Sequence, residues 1–205
     1  MASIAIPVPE GKDASAAAVE FNVRRKRFTR AEVDRLEAIG FFAGARFELI
    51  NGDLVDKMGQ IPPHAGGVSK LAKLLARIFP SVTIRTQAPV EVSAADAAIS
   101  LPEPDVVVPN HPGDFLDRHP RADETVLVVE VSDSTIRQDT ITKRALYARA
   151  GVPEYWVLDI TGRKLLVYLD AANGDFQKSF ELDETGTVPH SAEAGVPTRI
   201  ASLLP

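Results

Sequence analysis

Thr125-Val126-Leu127-Val128-Val129-Glu130-Val131 carries one charge in an otherwise apolar β-branched run. It does not alternate polar with apolar, so it reads as a strand covered on both faces, in the middle of a sheet. A carboxylate so placed is costly unless a cation, a metal or hydrogen-bond donors meet it. Upstream, Pro102-Glu103-Pro104-Asp105-Val106-Val107-Val108 repeats the pattern, with an acid opening an all-apolar strand. Downstream, Ser132-Asp133-Ser134-Thr135 is a helix-capping segment. It predicts a helix from about Ile136 to Ala150 that Gly151 closes in the left-handed conformation. Pro153-Glu154-Tyr155-Trp156-Val157-Leu158-Asp159 then returns as a strand, and Lys164-Leu165-Leu166-Val167-Tyr168-Leu169 pairs with it across a Thr161-Gly162 turn.

Toward the N-terminus, Thr29 and Glu32 form a capping-box pattern ahead of the stripe Val33, Leu36 and Ile39, which predicts a helix ended by Gly40. Phe47-Glu48-Leu49-Ile50 and Asp53-Leu54-Val55 flank Asn51-Gly52, the signature of a hairpin with a type I′ turn. Pro62-Pro63 breaks the chain, and Val68, Leu71, Leu74, Leu75 and Ile78 then repeat at three and four, predicting an amphipathic helix that ends at Pro80. Val82 to Gln87 and Val90 to Val92 read as strands interrupted by a proline. The succession predicts an α/β fold with a central mixed β-sheet flanked by helices. Residues 1–28, rich in Ala, Pro and Ser, are expected to be a weakly ordered leader, 29–170 the main domain, and 171–205 an edge hairpin and loops of that domain.

A chain of 205 residues with 45% hydrophobic and 25% charged residues can bury the core of one domain. No apolar run reaches the length of a membrane helix, and the N-terminus lacks a basic start followed by an apolar stretch, so a cytoplasmic protein is expected. The absence of cysteine excludes disulfides, thiolate metal sites and cysteine nucleophiles. A bound metal must therefore be held by oxygen or histidine. The net charge of −5 argues against a general electrostatic nucleic-acid binder. Residues 1–80 carry +3, and 81–150 and 151–205 carry −4 each. The basic run Arg24-Arg25-Lys26-Arg27 reads first as a solvated arm.

Asp105 and Glu130, if their strands are neighbours, converge at one sheet edge as an oxygen-rich pocket suited to Mg2+ or Mn2+. Such an ion, with a nearby ammonium, is what phosphodiester cleavage requires. Asp139, Lys143 and Tyr147 are spaced four and four on the following helix, so Lys143 can reach back over the acids. On spacing alone, an ordinary surface ion pair between Asp139 and Lys143 is the simpler reading.

Together, Phe47-Glu48-Leu49-Ile50-Asn51-Gly52, Pro104-Asp105, Val129-Glu130-Val131-Ser132, the Asp139, Lys143 and Tyr147 set, and Ala150-Gly151-Val152-Pro153-Glu154-Tyr155-Trp156 resemble the Uma family of restriction-endonuclease-like proteins, within the PD-(D/E)XK nuclease superfamily. The resemblance spans roughly residues 29 to 170. It implies a restriction-endonuclease-like core of αβββαβ type, with a divalent metal held by Asp105, Glu130 and a main-chain carbonyl near Val131. The superfamily places a lysine two residues after the glutamate, where this chain has Ser132; in the Uma family a lysine of the next helix is thought to substitute, which maps onto Lys143. Glu48 matches an acid bordering the site, although a rim carboxylate beside a turn is an equal reading. Gln87 lies where superfamily members place a polar residue near the metal, but reads first as a sheet hydrogen-bonding residue. His64 reads as a capping or solvent-facing residue, and Tyr147, Tyr155 and Trp156 as core aromatics.

The expectation is a Mg2+- or Mn2+-dependent DNA endonuclease with Asp105, Glu130 and Lys143 as catalytic residues, acting as a homodimer. Two alternatives stand beside it. One is an inactive homologue that binds DNA or self-associates. The other is a structural acid network satisfied by backbone and arginine.

Overall fold

The computed structural model of the chain describes residues 25–57, 61–113 and 115–205. Most of the expected leader therefore lies outside the described residues. Where description begins, the chain is already tied down: the Phe28 amide donates to Gly52 O at 2.8 Å and the Arg27 guanidinium to Asn51 O at 3.0 Å.

Helix α1 (Arg30–Ala38) starts with the capping box, the Thr29 hydroxyl accepting from the Glu32 amide while the Glu32 carboxylate accepts from the Thr29 amide. Strands β1 (Phe47–Ile50) and β2 (Asp53–Asp56) form the antiparallel hairpin, with Asn51 and Gly52 both at positive φ as a type I′ turn requires. Helix α2 (Pro62–Ile78) follows. The double proline expected to break the chain instead supplies the first helical positions of α2, where a missing N–H leaves no bond unmade.

Strands β3 (Arg85–Thr86), β4 (Val106–Pro109), β5 (Thr125–Ser132), β6 (Glu154–Asp159), β7 (Lys164–Ala172) and β8 (Asp175–Asp183) form one six-stranded sheet in sequence order. All neighbours are antiparallel except β5 and β6, which are parallel. The β5–β6 crossover is helical, a π-helical turn (Gln138–Lys143) leading into α3 (Arg144–Ala150). Gly151 closes it at φ 82°. The stretch from α2 through β3, β4, β5 and α3 to β6 has the expected αβββαβ order, and β7 and β8 extend the sheet.

The expected strands over 82–92 shrink to Arg85–Thr86. Gln87 leaves the strand at φ 50°, and the backbone of Val90 and Glu91 bonds to Pro102 and Pro120 rather than to a sheet neighbour. Strand β4, with four residues, offers little more to pair with.

Alternate residues of the central strands feed two cores. On one face Val129, Val131, Trp156 and Leu158 meet Val68, Leu71, Leu74 and Leu75 of α2 and the C-terminal Ile200, Leu203 and Leu204. On the other face Val107, Val128, Tyr155 and Val157 meet Tyr147 and Ala148 of α3. No helix among the described residues is long and apolar enough to cross a membrane.

Helix α2 approaches β5 through Gly67, where a Cβ would stand 3.1 Å from Val131 Cγ1. Replacing Gly67 with valine is therefore expected to push α2 off the strand and cost about 1–3 kcal/mol, as overpacking does. Denaturant unfolding should show a lowered midpoint at unchanged slope; an unaltered midpoint would contradict the close packing.

Candidate active site

The antiparallel register sets Val106 opposite Val129, and one further step sets Asp105 opposite Glu130. Directly opposed residues project to the same face. Here that is the α3 face, so both acids turn away from the α2 core. Both are buried, with 4% and 3% exposure. They line a single cavity of about 220 Å³ together with Glu48, His64, Gln87, Val131, Asp139 and Lys143. Besides the sheet, its lining comes from the β1–β2 hairpin, the start of α2 and the π-helical turn.

Lys143 is not on the surface. Its Nζ lies 2.8 Å from Glu48 Oε1, 3.0 Å from Glu130 Oε1 and 3.9 Å from Asp139 Oδ1. The exposed Asp139–Lys143 pair suggested by spacing alone is thus corrected: both residues are buried and belong to the cavity. The π-helical turn carries both, and such turns are frequent at functional sites. Glu48 is likewise no rim carboxylate. It is 5% exposed, with Oε2 accepting from the Glu103 amide at 3.1 Å.

Each remaining acid has a defined set of donors. Asp105 Oδ2 accepts from the Val131 amide at 2.8 Å, and Asp105 Oδ1 lies 3.1 Å from His64 Nε2. Burial pushes the Asp105 carboxyl up, but His64, the Val131 N–H and Lys143 together outweigh it and hold it below its ordinary value. The hydrogen bond to Asp105 in turn raises His64. The Tyr147 hydroxyl donates to Glu130 Oε1 at 2.9 Å; Tyr147 therefore packs and also orients the acid. Burial and the neighbouring Glu130 push the Tyr147 phenol well up, which keeps it a donor. Asp139 accepts from the Thr135 hydroxyl at 2.6 Å, and Tyr155 donates to the Asp139 main-chain oxygen at 3.1 Å.

Among the described residues nothing donates a hydrogen bond to Glu130 Oε2. Burial pushes the Glu130 carboxyl up to about 8; Lys143 opposes this, while Asp105, Asp139 and Glu48 add to it. Burial lowers Lys143, but the carboxylates of Glu130, Glu48 and Asp139 more than compensate, so its ammonium stays charged. Four buried carboxylates thus face Lys143 and the half-buried His64. This hard-oxygen, negatively charged donor set suits a divalent cation of the Mg2+ class. Waters or substrate oxygens would have to complete its coordination, because no cluster of three or more protein carboxylate or imidazole ligands is preassembled among the described residues.

Ser132 is fully buried on the same strand face as Glu130, two residues on. Its hydroxyl lies 3.3 Å from that of Thr135, and it does not line the cavity. Gln87 lines the cavity, and its main-chain N–H donates to Asp105 O at 3.1 Å, in the left-handed conformation rather than within a strand. His64 is the residue that sequence reasoning placed elsewhere. The double proline that starts α2 also aims its first turn at Asp105, and only the α2–β4 packing reveals this.

A family model described as "Uma2: Putative restriction endonuclease" matches residues 30–198. The chain belongs to the Uma2 family. Among solved structures, the crystal structure of a "putative nuclease belonging to DUF820" from Anabaena variabilis ATCC 29413 is similar, with a TM-score of 0.59 at 16% identity over 77% of this chain and 88% of that one. At that identity the likeness establishes the fold, which is restriction-endonuclease-like. No curated protein matches the chain.

The raised Glu130 carboxyl has a measurable consequence. Between its ordinary value of 4.5 and about 8 the folded protein holds a proton that the unfolded chain releases, so stability falls as pH rises through that window. The slope reaches about 1.4 kcal/mol per pH unit for one proton. Chelator-treated protein unfolded at a series of pH values should show this fall, and Glu130→Gln should flatten it. Asp139, also raised by burial, contributes in the same sense above its ordinary 3.8, and His64 and His190 only above their ordinary 6.5, so Glu130 is read from the wild-type-minus-variant difference. A variant with the wild-type slope would contradict the assignment.

Proposed function

We propose that the chain is a divalent-cation-dependent DNA endonuclease that hydrolyses phosphodiester bonds. The observation that carries this reading is the open Glu130 Oε2 beside Asp105, in a cavity where buried carboxylates outnumber the cations that meet them. Asp105, Glu130 and the main-chain carbonyl of Val131 would hold Mg2+ or Mn2+. Bound there, the ion neutralises charge that builds on the phosphate and acidifies a water.

The protein's own residues perform the rest. Lys143 keeps its ammonium at the cavity wall, where it stabilises negative charge developing on the phosphoryl oxygens. Its bonds to Glu48 and Glu130 fix its position, so little reorganisation is needed when that charge appears. It does so from the helix after the strand, in place of the lysine for which Ser132 stands. Tyr147 and Lys143 hold Glu130 Oε1, so Oε2 would be the oxygen offered to the ion. His64 and the Val131 N–H hold Asp105 ionised at working pH, as a ligand must be. The unit performing this chemistry is residues 29–170, with 171–205 completing the same domain through the edge strand β8.

Lys143 reaching Glu130, rather than pointing away from it, favours the active reading over an inactive scaffold. The structural-network alternative called for backbone and arginine donors; Asp105 does accept from the Val131 backbone amide, but the side chains that meet the two acids are lysine, tyrosine and histidine.

Cleavage of supercoiled plasmid and of circular single-stranded DNA with Mg2+ or Mn2+ tests the proposal. EDTA should abolish it, and Asp105→Ala and Lys143→Ala should each reduce it by about 10²–10³-fold in protein shown by circular dichroism to be folded. Cleavage that survives both substitutions would place the activity elsewhere.

A further inference from the structure

The cavity does not end at the acids. A second, larger groove of about 770 Å³ runs beside it between the β1–β2 hairpin and the start of the crossover helix, and the two share Val55, Ser134, Thr135 and Gln138. Its size lies within the roughly 300–1,000 Å³ of sites that take small-molecule-sized groups. Two residues on its wall have no structural occupation. Ile141 is 55% exposed although the same helix has an apolar core face, and Arg137 is exposed and makes no ion pair among the described residues.

We propose that this groove holds the nucleotide next to the scissile phosphate, and that the substrate is a single-stranded stretch of DNA rather than an intact duplex. The proposal rests on the endonuclease reading above. Four observations carry it. Asp105 and Glu130 lie at the floor of a 220 Å³ cavity, so the phosphate must enter and its chain must leave by a continuous path. The groove supplies that path. Ile141 offers an apolar face to a base, and Arg137 a guanidinium to the adjoining phosphate. Finally, the chain has a net charge of −5, and the cavity-wall cation Lys57 faces Glu103, 3.5 Å away. Duplex binding draws chiefly on many phosphate contacts, whereas a single strand also offers its unpaired bases to the protein. The groove has few cations for the first and an exposed apolar side chain, Ile141, beside Arg137 for the second.

Fluorescence anisotropy of the full chain in Ca2+, with a fluorescein-labelled oligodeoxynucleotide alone and annealed to its complement, tests this. The single strand should bind at least about tenfold more tightly, and Arg137→Glu and Ile141→Asp should each weaken it by about five- to tenfold. Lys178→Glu, on β8, should bind as the wild type does. Mn2+ binding by calorimetry and the unfolding midpoint should be unchanged in the groove variants. Equal affinity for duplex and single strand, or groove variants that bind normally, would overturn the proposal. If duplex is also cleaved as readily as single strand, the endonuclease reading survives and only the groove assignment fails. If Mn2+ promotes cleavage of neither, both fall.

Discussion

Four carboxylates, those of Glu48, Asp105, Glu130 and Asp139, give up nearly all their water around the ammonium of Lys143. A buried charge without compensation costs several kcal/mol, so such a cluster persists only if the surrounding structure holds it and something balances it. Much of the fold reads as the means of doing so. The sheet places Asp105 and Glu130 side by side, the hairpin turn brings Glu48 across, and the crossover helix delivers Asp139, Lys143 and Tyr147 in one pass. Lys143 and His64 meet part of that charge, and the proposed divalent cation would meet the rest.

The two faces of the sheet divide the labour. The α2 face is apolar and tight, with Gly67 against Val131, and it anchors the strand that carries Glu130. The α3 face is apolar at its centre and becomes polar toward the C-terminal end of β5, so the site sits where one core gives way to charged residues. Rigid anchoring on one side keeps the carboxylates from relaxing away from each other on the other. Removing Lys143 would leave the acids unmatched; even with it in place, burial first and the neighbouring acids second push the Glu130 carboxyl up.

Much of this was legible in the sequence because the apolar runs around Asp105 and Glu130 are too continuous for surface strands, and an acid inside such a run demands an explanation. The capping box at Thr29, the Asn51-Gly52 turn and Gly151 are local signals whose geometry is set by neighbouring residues, and each appears where its chemistry requires. Spacing could not show that Lys143 is buried, because four-residue spacing describes a surface pair and a buried network equally well. His64 was unreadable for a different reason: its partner Asp105 is brought to it by packing of α2 on the sheet, and no local pattern records that. The short β3 eluded pattern reading because the alternation of 82–87 is real, while the left-handed turn at Gln87 and the brevity of β4 cut the pairing off. Residue pattern finds elements and acids; tertiary docking decides which polar groups meet.

The central claim is that burial among neighbouring acids holds a proton on Glu130 in the cation-free cavity, and that a divalent cation would displace it. A titration of the Glu130 side-chain carboxyl by ¹³C NMR, assigned by its loss in Glu130→Gln, reads that proton directly. The account predicts a midpoint near 8 in cation-free protein, falling by about 2 units or more in saturating Mg2+. A midpoint near 4.5 without cation, unmoved by Mg2+, would contradict it.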